Sequence, residues 1–409
     1  MRAAAVICEC NPPHRGHARV IAAAKESAGC AVCLLSGPFV QRGEPAVLTP
    51  QARARILSGM GADLVLELPF PYAAAGAETF AAGGVSVLSR LGVAELWFGS
   101  ERADLPLLAR LAEAAGSPGF RDLYAAKIAG NPAGTSALWQ ETLAAFCGLD
   151  TPLAPNDVLA VAYLRAIAAQ GSDMAPHALK RSGDGEDRTD LPAAPDPPAA
   201  PGKAPAPDVI PSAAALRRAI ESENLQGVYA FLPDFERKIM EEERAAGRFP
   251  IRMDPAAPAI LSHLRLCGPD DLETVPDLAG GLGRRLRAAA NEATSLSDLL
   301  DRAATKKYPT ARLRRGLLFS ICGVTREDLS RPPAYVRLLA ANATGAAFLA
   351  SVRRTSGIPA VTSNAGVPRT DAARRQAELA RRAAALWSLC FPVPVSPADL
   401  LRFSPLFLG

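Results

Sequence analysis

The residues best suited to chemistry stand near the start of the 409-residue chain, in Glu9-Cys10-Asn11-Pro12-Pro13-His14-Arg15-Gly16-His17, which holds two of its four histidines. Imidazoles can donate hydrogen bonds to phosphate oxygens as negative charge builds during attack at an α-phosphate, and sites of that kind work mostly by positioning and charge stabilisation. Gly16 lets the backbone turn and approach a phosphate closely. A helix beginning here would add free N–H groups and the positive end of its dipole. The plainer alternative is a pair of histidines capping a helix on an exposed turn. A second loop, Ser36-Gly37-Pro38-Phe39-Val40-Gln41-Arg42-Gly43-Glu44-Pro45, is too long for a plain strand-to-helix connection, and such loops tend to carry function. Arg42 and Glu44 could equally form a surface ion pair. In Phe98-Gly99-Ser100-Glu101, Gly99 would let an adenine or ribose lie against the backbone.

These segments need elements to position them. Apolar runs at 3–8, 31–35, 64–68 and 95–98 read as strands, and 17–28 and 51–60 as helices. Thr49 and Pro50 start the second helix as N-cap and first-turn proline. Strands alternating with helices imply a parallel sheet covered on both faces, with the ligand site beyond the carboxyl ends of the strands. H-x-G-H between a first strand and a first helix is the mark of the nucleotidyltransferases that include the class I aminoacyl-tRNA synthetases. From Leu105 to about Gln170 the pattern is mainly helical, with Pro155 and Asn156 opening one run. The stretch 183–209 is rich in Pro, Ala, Gly and Asp, cannot offset its own ordering entropy, and reads as a mobile insertion. The expected fold is α/β: a Rossmann-like nucleotidyltransferase parallel sheet followed by a mainly α-helical C-terminal domain. The expected division is a catalytic domain at 1–182, the insertion at 183–209, connecting helices that finish the catalytic domain at 210–255, and a basic helical domain at 256–409.

Composition narrows the function classes. Hydrophobic residues at 49% and charged residues at 21% exclude wholesale disorder and collagen-like or coiled-coil fibres. No run reaches the roughly 18 apolar residues a membrane span needs, and Glu9 falls too early for a signal peptide, so a cytosolic protein with no membrane partner is expected. Eight cysteines are too sparse for a disulfide scaffold. Cys8 with Cys10 and Cys30 with Cys33 could be tested as zinc pairs, but strand geometry turns Cys30 and Cys33 to opposite faces, which favours buried thiols. The net charge of +4 is mild and conceals an asymmetry. From Arg284 to Arg337 twelve Lys or Arg stand against five acids. Lys306, Lys307, Tyr308, Arg312, Arg314 and Arg315 combine charge with an aromatic, as phosphate neutralisation and base stacking would use, and Arg312 and Arg315 share a helix face. A second basic cluster comprises Arg369, Arg374, Arg375, Arg381 and Arg382. An ordinary solvated basic face is the alternative.

Taken together, these residues resemble the tRNA(Met) cytidine acetate ligase family. The likeness rests on 9–17, 36–45, Gly61-Ala62-Asp63-Leu64-Val65-Leu66-Glu67-Leu68-Pro69, Ala77-Glu78-Thr79-Phe80-Ala81, 98–101, Pro155-Asn156-Asp157-Val158-Leu159-Ala160, Leu179-Lys180-Arg181 and Thr305-Lys306-Lys307-Tyr308 with Arg312 and Arg315. The resemblance implies an enzyme that makes acetyl-adenylate from ATP and acetate, releases pyrophosphate, and acetylates the exocyclic amine of the wobble cytidine of elongator tRNA(Met). It implies His14 and His17 as catalytic residues. It also implies an ATP site formed by Ile7, Cys8, Glu9, Cys10, Asn11, Pro12, Pro13, His14, Arg15, Gly16, His17, Ala18, Arg19 and Val20 with Gly99, Asn156 and Arg181, and tRNA contacts at Lys306, Lys307, Tyr308, Arg312 and Arg315. Asn156 as a helix N-cap and Arg181 as a strand-end surface charge are the plainer alternatives. Magnesium commonly accompanies phosphoryl chemistry, and the oligomeric state is left open. Departures from the family pattern are Cys10 for tyrosine and Pro13 for phenylalanine, which removes aromatic walls that could line an acetate pocket. The family's S-A-T-x-I-R appears as Ser212-Ala213-Ala214-Ala215-Leu216-Arg217. A small-molecule adenylyltransferase, which would need no long basic C-terminal region, and a non-catalytic tRNA-binding protein, which would not need the intact His14, Gly16 and His17, are the competing readings.

Overall fold

A computed structural model describes residues 1–129, 135–181, 190–191, 210–305, 307–402 and 404–408. The expected insertion at 183–209, apart from Asp190 and Leu191, and Lys306 lie outside the described residues. The strands are β1 (Ala4–Cys8), β2 (Ala31–Ser36), β3 (Leu64–Leu68), β4 (Glu95–Ser100), β5 (Ala175–Lys180), β6 (Val336–Ala341), β7 (Ala360–Val361) and β8 (Leu406–Phe407). They form one sheet in the order β5-β4-β1-β2-β3-β6-β7, with β8 also on β6. The first five are mutually parallel, and the order reverses at β1, which places the switch point between β1 and β4.

Period-two alternation explains how the strands are buried on both faces. Val32, Leu34, Leu66 and Phe98 face a core closed by helix α3 (Ala77–Leu91) and the helix Pro155–Ala169. Val6, Cys8, Cys33, Leu35 and Val65 face the opposite core, closed by Ile21 of α1 (Arg15–Ala28) and Ala54 and Leu57 of α2 (Pro50–Gly59). Fully burying a leucine here contributes about 2 kcal/mol. Cys30 lies in the first core and Cys33 in the second, as expected for opposite faces. Thr49 caps α2 by accepting from the Ala52 N–H at 3.1 Å, with Pro50 in its first turn.

The C-terminal region, expected as a basic helical domain at 256–409, also contributes to the sheet. It is mainly helical, yet β6 pairs antiparallel with β3, setting Glu67 opposite Arg337, and β7 and β8 extend the sheet. The helical core also takes in Phe39 and Phe70 from the N-terminal half. Position 256 therefore divides neither the sheet nor that core. The alanine-rich Val336–Ala341 run gave no period-two contrast by which to find β6. Among the described residues no helix is long and apolar enough to cross a membrane.

Candidate active site

The segment between β1 and α1 is built so that both histidines spend the same ring nitrogen on the backbone. His14 is the N-cap of α1, and its Nδ1 accepts from the Gly16 N–H at 3.0 Å. His17 closes the reciprocal contact, its Nδ1 accepting from the His14 N–H at 3.2 Å. An imidazole that accepts at Nδ1 carries its proton at Nε2, so each ring keeps one N–H donor for a ligand. The rings lie 4.0 Å apart between centroids. Burial first, then His17, Arg181 and Arg217, pushes His14 well below the usual imidazole range, and burial chiefly lowers His17. Both are neutral donors at pH 7. The histidines do cap the helix, and the capping is what orients them. Gly16 is required because a Cβ there would stand 2.7 Å from His14 Cε1.

The loop ahead of the histidines is tied to its neighbours. Arg53, 0% exposed, donates to the carbonyls of Glu9 (2.7 Å), Gly37 (2.6 Å) and Leu48 (3.2 Å), joining the turns after β1 and β2. Asn11 accepts at Oδ1 from the Val47 N–H (2.8 Å) and at its carbonyl from Arg217 (2.6 Å). Glu9 accepts from the Gln41 N–H at 2.8 Å, and burial raises its carboxyl. Cys10 is 1% exposed and packs with Cys8 and Cys33, with burial raising its thiol. The Tyr-to-Cys departure therefore lies in the core instead of on an open pocket wall. Among the described residues no cluster of His, Cys, Asp or Glu could hold a metal ion.

On the other side of β1 the expected nucleotide residues converge. Asn156 Nδ2 donates to Glu101 Oε1 at 2.5 Å, and the Asp157 N–H donates to Glu101 Oε2 at 3.1 Å. The helix Pro155–Ala169 has Ala154 as its N-cap, so Asn156 is not the cap. Arg181 follows β5, donates its N–H to the Ser100 carbonyl at 3.0 Å, and sets Nε 3.9 Å from Glu101. A Cβ on Gly99 would meet the Arg181 side chain at 3.4 Å. Because Arg181 also lowers His14, its charge acts at the signature, and Gly99, Asn156 and Arg181 line the rim beside it. This arrangement offers a cationic, hydrogen-bond-donating cradle at the sheet's switch point, suited to a nucleoside polyphosphate.

The expected RNA residues are mostly committed inside the fold. Tyr308 is buried and donates its O–H to the Gly280 carbonyl at 2.6 Å, with Lys307 Nζ and Arg312 Cζ at 5.4 and 5.3 Å from its ring centroid. Arg312 donates to the carbonyls of Asp277 and Ala279, Arg315 pairs with Asp277 at 2.6 Å, and Arg314 pairs with Glu44. Among the described members of the set Lys307 alone is exposed. The structural roles of Arg53 and Arg217 were not evident from the sequence, since each sits among other arginines of the same spacing and only burial separates them.

Known proteins resemble this chain over most of its length. The model of the HIGH Nucleotidyl Transferase family matches residues 1–399. The tRNA(Met) cytidine acetate ligase of Syntrophotalea carbinolica is 33% identical over 89% of this chain and 85% of that protein, and that of Acetivibrio thermocellus is 28% identical over 96% of both. The crystal structure of Thermotoga maritima TmcAL bound with alpha-thio ATP superposes with a TM-score of 0.85 at 26% identity, covering both chains completely, and the apo form with 0.87. With residues 1–399 matched by the family model and a 33% identical relative spanning 89% of it, the chain belongs to the HIGH nucleotidyltransferases and, among them, to the tRNA(Met) cytidine acetate ligase family.

Proposed function

We propose that this protein activates acetate with ATP and acetylates the exocyclic amine of the wobble cytidine in elongator tRNA(Met). An acetate oxygen bonds to the α-phosphorus while the bond to the bridging oxygen breaks and its electron pair leaves with pyrophosphate. The cytosine amine then attacks the acetyl carbon of the mixed anhydride, AMP leaves, and the amine gives up a proton. The observation that carries the reading is the pair of neutral imidazoles, each with Nδ1 held by a backbone N–H and Nε2–H left to donate, at the head of α1. Donors fixed before the reaction stabilise the charge that develops on the phosphate without reorganising. Gly99, Asn156 and Arg181 would hold the nucleoside side, and the basic helices, with Lys307 exposed, would meet the tRNA. Magnesium, which screens phosphate charge, would enter on the phosphates of ATP, because the carboxylates of Glu9 and Glu101 already accept protein hydrogen bonds. The work would be done in the cytosol, where tRNA and ATP are both present. The test is nucleoside analysis of tRNA(Met) incubated with the protein, ATP and isotopically labelled acetate. Label on cytidine is expected, and its absence there would move the assignment to another carboxylate or acceptor.

A further inference from the structure

Two arginines on the β2 side of β1 are used by none of the nucleotide contacts above. Arg217, in the helix Ala213–Glu221, spends one guanidinium nitrogen on the Asn11 carbonyl at 2.6 Å. Its remaining N–H groups make no hydrogen bond among the described residues. Arg42 is exposed in the loop after β2 and has neither a hydrogen bond nor an ion pair among the described residues. The two are near enough to repel, for Arg217 is lowered by burial and then by Arg42. The acids in range do not satisfy them. Glu9 takes the Gln41 N–H and is raised by burial, Glu44 is engaged by Arg314, and Glu221 lies a turn farther along the helix that carries Arg217.

Direction along the rim decides what such a pair would hold. Gly99, Asn156 and Arg181 stand at β4 and β5, the histidines over β1, and Arg42 and Arg217 beyond them toward β2. Displacement at phosphorus brings the attacking oxygen in line with the leaving one. With the nucleoside proposed on the β4 side, the β2 side is left for the attacking group. A planar guanidinium with spare N–H groups matches a carboxylate in bidentate fashion. We propose that Arg217, with Arg42 beside it, forms the carboxylate subsite, holding the acetate anion so that one of its oxygens faces the α-phosphorus. This rests on the proposed acetate activation. The step needs no proton transfer, since the carboxylate attacks as an anion and the electron pair leaves with pyrophosphate. The departures at Cys10 and Pro13 then do not bear on carboxylate binding, because the charge of the acid, and not an aromatic wall, is what the subsite grips.

The test is ATP–pyrophosphate exchange without tRNA, using the full chain and its Arg217→Ala, Arg217→Lys and Arg42→Ala variants. Losing a charge-assisted hydrogen bond is expected to raise the KM for acetate about tenfold to a hundredfold in Arg217→Ala and about twofold to fivefold in Arg42→Ala. Arg217→Lys, which keeps the charge without the fork, is expected to fall between parent and Arg217→Ala. The Kd for ATP measured without acetate should stay within about twofold. Weakened ATP binding at unchanged acetate KM would overturn the assignment and give these arginines to the polyphosphate. Arg42 makes no hydrogen bond or ion pair among the described residues, so its variant keeps the test open even if Arg217→Ala disturbs Asn11. If the parent shows no acetate-dependent exchange, the proposed acetate activation fails. The subsite stands if formate, propionate or glycine supports exchange that Arg217→Ala loses, and falls if the variant keeps it.

Discussion

Replacing Glu236 with glutamine is expected to stabilise the protein, and only above mildly acidic pH. Glu236 lies in the first turn of the helix Asp234–Ala245 and is 0% exposed, with neither carboxylate oxygen hydrogen-bonded among the described residues. Burial pushes its carboxyl up to about 8 from the ordinary 4.5, with the charge of Arg15 opposing. A carboxyl raised in this way keeps a proton that the unfolded chain releases above about 4.5, so stability falls as pH climbs from about 4.5 to about 8 and then levels off. The interval between those values, at about 1.4 kcal/mol for each pH unit, sets a ceiling of about 5 kcal/mol. Movement of Arg15 toward the carboxylate and entry of water reduce that ceiling, and about 2 to 4 kcal/mol is expected. Glutamine has nearly the same shape and no proton to lose. Unfolding free energies of parent and Glu236→Gln, from urea titrations, should therefore nearly coincide at pH 5 and separate by that amount, in favour of glutamine, at pH 8.5. Every other titrating group cancels in the difference. A difference that does not change with pH would show that Glu236 holds no proton in the folded protein and would refute the reasoning.

Two further outcomes are expected. Because burial holds His14 and His17 below the usual imidazole range, kcat for adenylate formation should be level from pH 6.5 to 8 and fall only as acid protonates them. A rise in rate as pH drops through 7 would identify the imidazolium as the active form. Arg312→Ala should lower stability by about 1 to 2 kcal/mol, because it removes two carbonyl partners, while Lys307→Ala should leave stability unchanged and reduce the salt dependence of tRNA binding. Equal effects of the two variants on the salt slope would place Arg312 on the RNA track after all.

Much of the site was legible because its chemistry is local in sequence. The four N-terminal strand runs, the glycine between two histidines and the Thr49-Pro50 helix start each declare themselves within a few residues, and the structure realises all of them. What escaped is set by contacts distant along the chain. Arg53 and Arg55 look alike in sequence, yet one is fully buried on three carbonyls and the other pairs with Glu242 at the surface. The excess of positive charge between 284 and 337 suggested an open phosphate track, but arginine is also the residue that can cap several carbonyls at once. Arg285 and Arg312 each do so here, and Arg287 holds one. Charge counting cannot separate those uses, because both need the same side chain. Gly43 carries a related lesson. Its φ of +73° and the Arg315 backbone nitrogen 2.5 Å from where a Cβ would stand show the loop after β2 seated directly on the helix Thr310–Cys322, a contact that no spacing rule encodes.

The antiparallel β6 also bears on how the chain is made. Until β6 leaves the ribosome, β3 has hydrogen-bonding groups on one side with no strand to meet them. About 270 residues separate the end of β3 from the start of β6. At roughly 5 to 20 residues per second of synthesis, that edge stays bare for about 15 to 50 seconds, during which it is a template for pairing with another nascent chain. The protein is thus at greatest risk of aggregation while it is being made, and a product terminated before Val336 would retain the open edge permanently, as a substrate for chaperones and proteases.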